Sequence, residues 1–131
     1  MTTKPTNLDP QRLADGYTAI WSEPDAGRRR AAVADLWTEG GVEYVEGAQF
    51  RGHDELDVRV AYAYGEFVGS GKYRVTRAAD VARFDRMICL TIQLVSTTDG
   101  ALAWSARVFL IVDDDGRIRE DYQLTVHPLA A

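Results

Sequence analysis

The chain changes character once, near residue 70, and this change limits the folds that it can form. Before that point apolar residues recur every three or four positions, as in amphipathic helices, and after it Val, Ile, Thr and aromatic residues dominate, as in strands. Helices followed by strands predict an α+β domain, in which three helices cover one face of a strongly curved antiparallel sheet. Such a cone-shaped arrangement leaves a cavity between the two layers, where a small molecule would bind.

Three amphipathic helices are predicted before residue 70. The first begins at Asp9, an N-cap residue followed by proline, and the second is expected to end at Gly40 and Gly41. A short strand over residues 42–46 separates the second helix from the third, which covers residues 53–69. The apolar stripes of the three helices are Leu13, Tyr17, Ile20 and Trp21; Val33, Leu36 and Trp37; and Leu56, Val60, Tyr64 and Phe67.

Four long strands are predicted after residue 71. They cover residues 73–84, 87–96, 101–112 and 118–126, and the segments between them are short and rich in Asp and Gly. Connections of this length join neighbouring antiparallel strands, so the four strands are expected to form a meander.

Composition excludes several classes of partner. The 131 residues include 15 Lys+Arg against 20 Asp+Glu, a net charge of -5, which would repel nucleic acid and an anionic membrane surface. A single cysteine, Cys89, and a polar N-terminus with no apolar segment behind it are typical of a cytoplasmic protein. We expect one domain over residues 1–131, with residues 1–8 disordered.

The side chains that bind metals and cofactors are sparse and scattered. His53, His127 and Cys89 are far apart in sequence, and the run from Asp113 to Gly116 lacks the spacing of a calcium loop, so no metal site is expected. No glycine-rich phosphate loop or dinucleotide fingerprint occurs, and no cofactor is expected.

Two residues in the first part could carry acid/base chemistry. Tyr17 lies on the first apolar stripe, where its hydroxyl either bonds the backbone in the core or points into the cavity. Glu46 ends the short strand on the same face as Val42 and Tyr44. If that face points inward, burial would raise the pKa of Glu46 toward the range of a general base, and if it does not, Glu46 is an exposed strand end.

The last strand has one polar face and one mostly apolar face. Its polar face carries Asp121, Gln123, Thr125 and His127, and the other face carries Ile118, Glu120, Tyr122, Leu124 and Val126. Either the polar face meets solvent, or it faces the cavity and a second subunit covers the apolar face. Alternation alone leaves both open. Arg107, the one charge on the preceding strand, is expected to pair with a carboxylate such as Asp121.

The order of these elements resembles the NTF2-like superfamily, in particular its SnoaL-like polyketide cyclases and ketosteroid isomerases. The resemblance covers residues 13–126, and its most specific parts are segment 17–25 with the helix ending at Trp37, segments 45–47 and 50–52, and segment 115–118. It implies a cone-shaped, cystatin-like fold with a hydrophobic pocket, and a homodimer formed through the sheet.

The resemblance also implies roles for single residues. Tyr17 falls at the oxyanion-binding tyrosine of the isomerases, and Glu46 at the aspartate that moves the proton. The position of the protonated acid falls on Val108, which has no carboxyl group, so a proficient steroid isomerase is not expected. In the cyclases and dehydratases an Asp or His on the late strands supplies the acid or base, which implies Asp121 and His127.

The expected function is therefore that of a cofactor-independent enzyme. It would cyclise, isomerise or dehydrate a hydrophobic, carbonyl-bearing, polyketide-like molecule. Its catalytic residues would be Tyr17, Glu46, Asp121 and His127, and its substrate-binding residues Trp21, Tyr44, Trp104 and Gln123. Two alternatives remain: a ligand-binding or accessory dimer without chemistry, and a structural dimer whose pocket is filled by its own aromatic side chains.

Overall fold

A computed structural model describes residues 8–130 of the chain. Three helices pack against one seven-stranded sheet whose strands lie in the order β2-β1-β7-β6-β5-β3, with β4 also paired to β5. The elements are α1 (Pro10–Ile20), α2 (Ala26–Leu36), β1 (Trp37–Val45), β2 (Ala48–Arg51), α3 (Gly52–Ala63), a π-helical turn (Tyr64–Val68), β3 (Tyr73–Arg77), β4 (Ala82–Phe84), β5 (Met87–Ser96), β6 (Leu102–Val112) and β7 (Ile118–His127). The predicted α+β fold is confirmed.

The sheet is mixed rather than wholly antiparallel. β1 runs parallel to β7, and every other pair of neighbouring strands is antiparallel. The chain can reach this parallel arrangement because β1 and β7 are separated in sequence by α3 and the whole meander. The prediction of a purely antiparallel sheet is wrong at this one junction, where the two strands that carry acidic residues meet.

The ends of the first two helices follow the capping residues in the sequence. The Asp9 carboxylate accepts hydrogen bonds from the backbone N–H groups of Gln11 and Arg12, and Pro10 occupies the first turn of α1. Asp25 caps α2 in the same way, by accepting from the N–H of Arg28. These caps satisfy N–H groups that the helix itself leaves unpaired.

The second helix ends four residues earlier than predicted. α2 stops at Leu36, Trp37 begins β1, and Gly40 and Gly41 lie inside the strand. A side chain at position 41 would have its Cβ only 3.0 Å from the carbonyl oxygen of Ile118. The glycine is therefore needed where β1 approaches β7 closely, and it is not a helix stop signal.

The predicted strand over residues 73–84 is interrupted. It forms β3 and β4, and between them Asp80 accepts hydrogen bonds from the backbone and the hydroxyl of Thr91. The following three strands agree with the prediction to within one residue at each end, and β2 was not predicted.

The core lies between the helices and the inner face of the sheet. Tyr17 and Trp37 are its largest fully buried side chains, and β5, β6 and β7 supply most of its aliphatic residues. Within residues 8–130 no helix has both the length and the apolar character of a membrane-spanning segment. Of the segment predicted to be disordered, residues 1–7 lie outside the described residues, and Leu8 packs against the core.

Candidate functional site

The parallel pairing of β1 and β7 brings two carboxyl groups together. Glu43 lies opposite Asp121 in the register, and both side chains are fully buried on the inner face. The next pair along, Tyr44 and Tyr122, lies on the outer face, where the two rings stack at 4.9 Å. Alternation along the two strands therefore places Glu43 and Asp121 inward and Tyr44 and Tyr122 outward.

A buried polar cluster forms around these carboxyl groups, consisting of Tyr17, Glu43, Arg59, Asp121 and Gln123. The Tyr17 hydroxyl donates to Oδ2 of Asp121 at 2.8 Å. The amide Nε2 of Gln123 donates to the Tyr17 oxygen at 2.9 Å and to Oε2 of Glu43 at 3.2 Å. Nε of Arg59 donates to Oε1 of Glu43 at 2.8 Å. One network thus joins α1, α3 and the centre of the sheet.

The environment of Asp121 favours its protonated form. Burial, followed by the charge of Glu43 and hydrogen bonding with it, raises the pKa of Asp121 well above its ordinary value. The bond from Tyr17 and the charge of Arg59 oppose this shift without cancelling it. Oδ1 of Asp121 is buried and has no hydrogen-bond partner among residues 8–130. The surroundings of Asp121 therefore favour proton uptake, and one of its oxygens is free to bond another group.

Tyr17 is held in its neutral form. Burial, with the charges of Asp121 and Glu43, raises the pKa of the Tyr17 hydroxyl well above its usual value. A neutral phenol between a carboxyl group and an amide can donate one hydrogen bond and accept another, which is how it is used in the cluster.

A cavity of about 200 Å³ adjoins the cluster. Two members of the cluster, Arg59 and Gln123, form part of its wall, whereas Tyr17, Glu43 and Asp121 lie behind them. Most of the remaining wall is apolar, including Trp21, Phe67, Val75, Ile92, Leu94 and Trp104. The cavity therefore combines apolar sides with one polar end, the usual composition of a small-molecule site.

Arg59 is fixed on three sides. Its Nε binds Glu43, and its guanidinium carbon lies 5.4 Å from the centre of the Trp21 ring and 5.3 Å from that of Phe50. Both distances are within the range of cation–π attraction. Its two terminal nitrogens have no hydrogen-bond partner among residues 8–130.

Comparisons with known proteins agree on the architecture. Neither a protein-family model nor a curated protein matches the sequence. Among solved structures, a candidate isomerase of the SnoaL-like family from Agrobacterium tumefaciens strain C58 superposes with a TM-score of 0.80 and 22% identity, over 89% of this chain and 97% of that one. The chain has the NTF2-like fold. The resemblance identified in the sequence is confirmed at this level.

Two further structures show how widely this NTF2-like fold is shared. A candidate polyketide cyclase from Sinorhizobium meliloti matches with a TM-score of 0.64 and 13% identity, over 94% of this chain and 99% of that one. An NTF2-like protein of unknown function from Cytophaga hutchinsonii matches with a TM-score of 0.62 and 10% identity, over 92% and 93% of the two chains. At such identities the likeness lies in the fold.

The NTF2-like fold brings together five of the eight residues predicted for the site. Tyr17, Asp121 and Gln123 meet in the buried polar cluster, so the polar face of β7 points inward at these two positions. Trp21 and Trp104, predicted to bind substrate, form part of the cavity wall together with Gln123.

Three other predicted site residues lie away from the cavity. Glu46 is exposed in the turn after β1 and accepts hydrogen bonds from the backbone N–H of Thr125. His127 is exposed at the end of β7, and Tyr44 lies on the outer face. Of the two alternatives for Glu46, the structure shows the exposed strand end, because the inward positions of β1 include Glu43, an odd number of residues away.

The expected partner of Arg107 is also wrong. Arg107 lies on the outer face of the sheet, where its Nη1 binds Oδ2 of Asp80 at 3.0 Å. It cannot reach Asp121, because successive side chains of a strand point to opposite faces and Asp121 lies opposite Leu110, an inward residue of β6.

Sequence reasoning missed two members of the cluster, Glu43 and Arg59. Arg59 had a visible signal, since it directly precedes Val60 on the apolar stripe of α3 and a cation so close to a buried face needs a partner. Glu43 had none without the register of β1. Within residues 8–130 no three potential metal ligands among His, Cys, Asp and Glu converge.

Proposed function

We propose that the chain is a cofactor-independent enzyme that uses acid/base chemistry on a hydrophobic, carbonyl-bearing small molecule. The reaction class is isomerisation, cyclisation or dehydration. The observation that carries the proposal is Asp121, a buried carboxyl group with a raised pKa and a free oxygen, which is joined through Tyr17 and Gln123 to the wall of an apolar cavity. A carboxyl group whose pKa is raised by burial is suited to taking up and returning a proton.

In this proposal four members of the cluster have separate tasks. Asp121 exchanges the proton with the substrate, and Tyr17 orients Asp121 by donating to it. Arg59 presents positive charge at the polar end of the cavity, where a carbonyl oxygen gains negative charge as the reaction proceeds. Gln123 touches both Tyr17 and the cavity, so a turn of its side chain would open the path between Asp121 and a bound molecule.

The comparisons support the proposal as an analogy. A candidate SnoaL-like isomerase and a candidate polyketide cyclase share the fold of this chain. Folds of this kind host several unrelated activities, so the buried cluster carries more weight than the fold.

Exchange of carbon-bound hydrogen tests the proposal without knowledge of the natural substrate. The bicyclic, enolisable ketone 2-tetralone is incubated with the protein in D₂O, and loss of its α-proton signals is followed by NMR. We expect the wild type to accelerate exchange over buffer, and Asp121→Asn to lower the rate about a hundredfold or more. Glu46→Gln, an exposed carboxylate in the turn after β1, is the matched control and should keep the wild-type rate.

Two results would contradict the proposal. One is exchange no faster than in buffer, and the other is an Asp121→Asn variant that is folded and as active as wild type. Thermal unfolding of each variant verifies that the fold is intact.

Ligand binding without chemistry is the second candidate function. It is favoured by one observation, the complete burial of Glu43 and Asp121 behind the cavity wall. This candidate predicts that small apolar molecules raise the unfolding temperature while no α-proton exchange occurs.

We further propose that the protein is cytoplasmic. We also propose that it forms a homodimer through the outer face of β7. On this face Tyr122, Leu124 and Val126 are 40%, 54% and 60% exposed. A row of exposed apolar side chains along one strand is more typical of an interface than of a free surface. Light scattering after size exclusion, with Leu124→Arg as the disrupting variant, tests the oligomeric state.

A further inference from the structure

At the polar end of the cavity, Arg59 has hydrogen-bond donors that the protein does not pair. Arg59 is the only cationic residue in the cavity wall within residues 8–130, and Glu43 engages only its Nε atom. The two terminal nitrogens have no protein acceptor among these residues. The Arg59 side chain is 20% exposed. A partly buried guanidinium whose terminal nitrogens have no protein acceptor favours a ligand that supplies acceptor atoms.

The geometry of Arg59 selects among possible acceptors. The bond to Glu43 and the two flanking rings, Trp21 and Phe50, hold the guanidinium in place. A guanidinium presents its donors as a planar fork, and this fork matches the two oxygens of a carboxylate better than it matches a single carbonyl oxygen. Because the guanidinium is already positioned, less conformational entropy is lost when such a ligand binds.

The charges around Arg59 are compatible with one more anion. Glu43 forms the salt bridge at Nε. Asp121, the other carboxyl group of the cluster, has its pKa raised by burial and by Glu43, so its neutral form is favoured and it adds little repulsion. Gln123, the remaining polar residue of the wall, is an uncharged amide.

Size and wall composition limit the rest of the ligand. Because a cavity of about 150 Å³ accommodates benzene, the 200 Å³ present here fit one ring or two fused rings. Trp21 and Trp104 offer aromatic surfaces, and Val75 and Ile92 offer aliphatic ones.

We infer that the cavity binds a flat, apolar molecule of one or two rings that carries a carboxylate, and that Arg59 holds this carboxylate end-on. The inference rests on the proposed function in that it places the substrate in the same cavity, and it narrows the substrate class to small, ring-bearing acids. Arg59 is then the residue that determines specificity for the acid.

A pair of nearly isosteric probes tests the inference by calorimetric titration. The first is 2-naphthoate, and the second is 2-acetylnaphthalene, which has a neutral methyl ketone in place of the carboxylate. We expect the wild type to bind 2-naphthoate about ten- to hundredfold more tightly, the gain typical of hydrogen bonds to a charged group.

Three variants assign the preference to Arg59. Arg59→Lys keeps the charge without the fork and should lose most of the preference. In the double variant Arg59→Met/Glu43→Gln, both members of the ion pair are replaced, so that no buried charge is left alone, and the two probes should bind equally. Arg74→Met, at an exposed position on β3, should keep the wild-type preference.

The outcomes separate this inference from the proposed function. Equal binding of the two probes to wild type, or a preference that survives in the double variant, overturns the inference and leaves the proton-exchange assay to decide on catalysis. Binding of neither probe overturns the inference and also removes the cavity as the site of the proposed reaction.

Discussion

On each side of the sheet an arginine is paired with a carboxylate and has a hydroxyl nearby, yet the two groups differ in how much water reaches them. On the inner face Arg59 binds Glu43, whose side chain is fully buried. On the outer face Arg107 binds Asp80, and the two side chains are 39% and 35% exposed. The inner carboxylate is therefore withdrawn from water beside an arginine that is 20% exposed, whereas both members of the outer pair are in partial contact with water.

The carboxyl pKa values reflect this difference. Around the inner pair, burial and the charge of Glu43 raise the pKa of Asp121. On the outer face burial also acts to raise the pKa of Asp80, but hydrogen bonds from Thr91 and the charge of Arg107 outweigh it, and the pKa of Asp80 is lowered. Depth of burial and the charges nearby thus decide whether the protonated or the ionised form of each carboxyl group is favoured.

Loss of the arginine should distinguish the two faces most strongly. Arg59→Met leaves the buried Glu43 without its cation, and we expect it to cost about 3–5 kcal/mol of unfolding free energy. Arg107→Met breaks a partly exposed pair and should cost about 1 kcal/mol or less. Urea denaturation of both variants measures the difference, and equal losses would show that the inner pair is not shielded from water.

Removal of the inner hydroxyl should have a smaller effect. Tyr17→Phe deprives Asp121 of a donor and Gln123 of an acceptor in a buried site, and should cost about 1–3 kcal/mol. Tyr62→Phe is the matched control, because Tyr62 is 63% exposed. Its effect on thermal unfolding should lie near zero, and a comparable loss in both variants would contradict a structural role for the Tyr17 hydroxyl.

The pH dependence of stability should have opposite signs for the two carboxyl groups. Because the pKa of Asp121 is raised by folding, its contribution is complete below the ordinary pKa of Asp and is lost as pH rises through the raised value. In that window the wild type should lose up to about 1.4 kcal/mol per pH unit. The pKa of Asp80 is lowered, so Asp80 stabilises the fold at pH values above the ordinary pKa of Asp. This stabilisation is lost as the pH falls through the lowered pKa.

Urea midpoints measured across neutral and acidic pH test this sign. Asp121→Asn should remove the loss on the alkaline side, and Asp80→Asn should reduce the loss on the acidic side. An Asp121→Asn variant with the same alkaline loss as wild type would show that Asp121 is not protonated in the folded protein.

The long strands could be predicted from the sequence, but the start of β1 could not. The long strands from Met87 onward follow from local composition, because Val, Ile and Thr runs between short turns specify β structure without help from distant residues. The spacing of Val33, Leu36 and Trp37 predicts that Trp37 belongs to the helix. In the structure Trp37 is the first residue of β1, and its side chain is buried in the same core as that of Val33.

The site depends on a contact that local patterns do not encode. Glu43 and Asp121 meet only because β1 pairs with β7 in parallel, and the register is irregular between Trp37 and Val42. Such an irregularity changes which residues point inward, so alternation counted from either end of a short strand can select the wrong face. The sequence could identify Tyr17 and Asp121 as candidates from their residue types, but it could not predict that the two side chains are in contact.

The wall of the cavity draws on two kinds of element. Phe67 and Val68 come from the π-helical turn, and Leu129 follows the end of β7, so none of the three belongs to a strand of the sheet. The polar cluster, by contrast, is anchored on β1, β7, α1 and α3. Substitutions at these three wall positions can therefore change the shape of the cavity while the contacts of the polar cluster stay as they are.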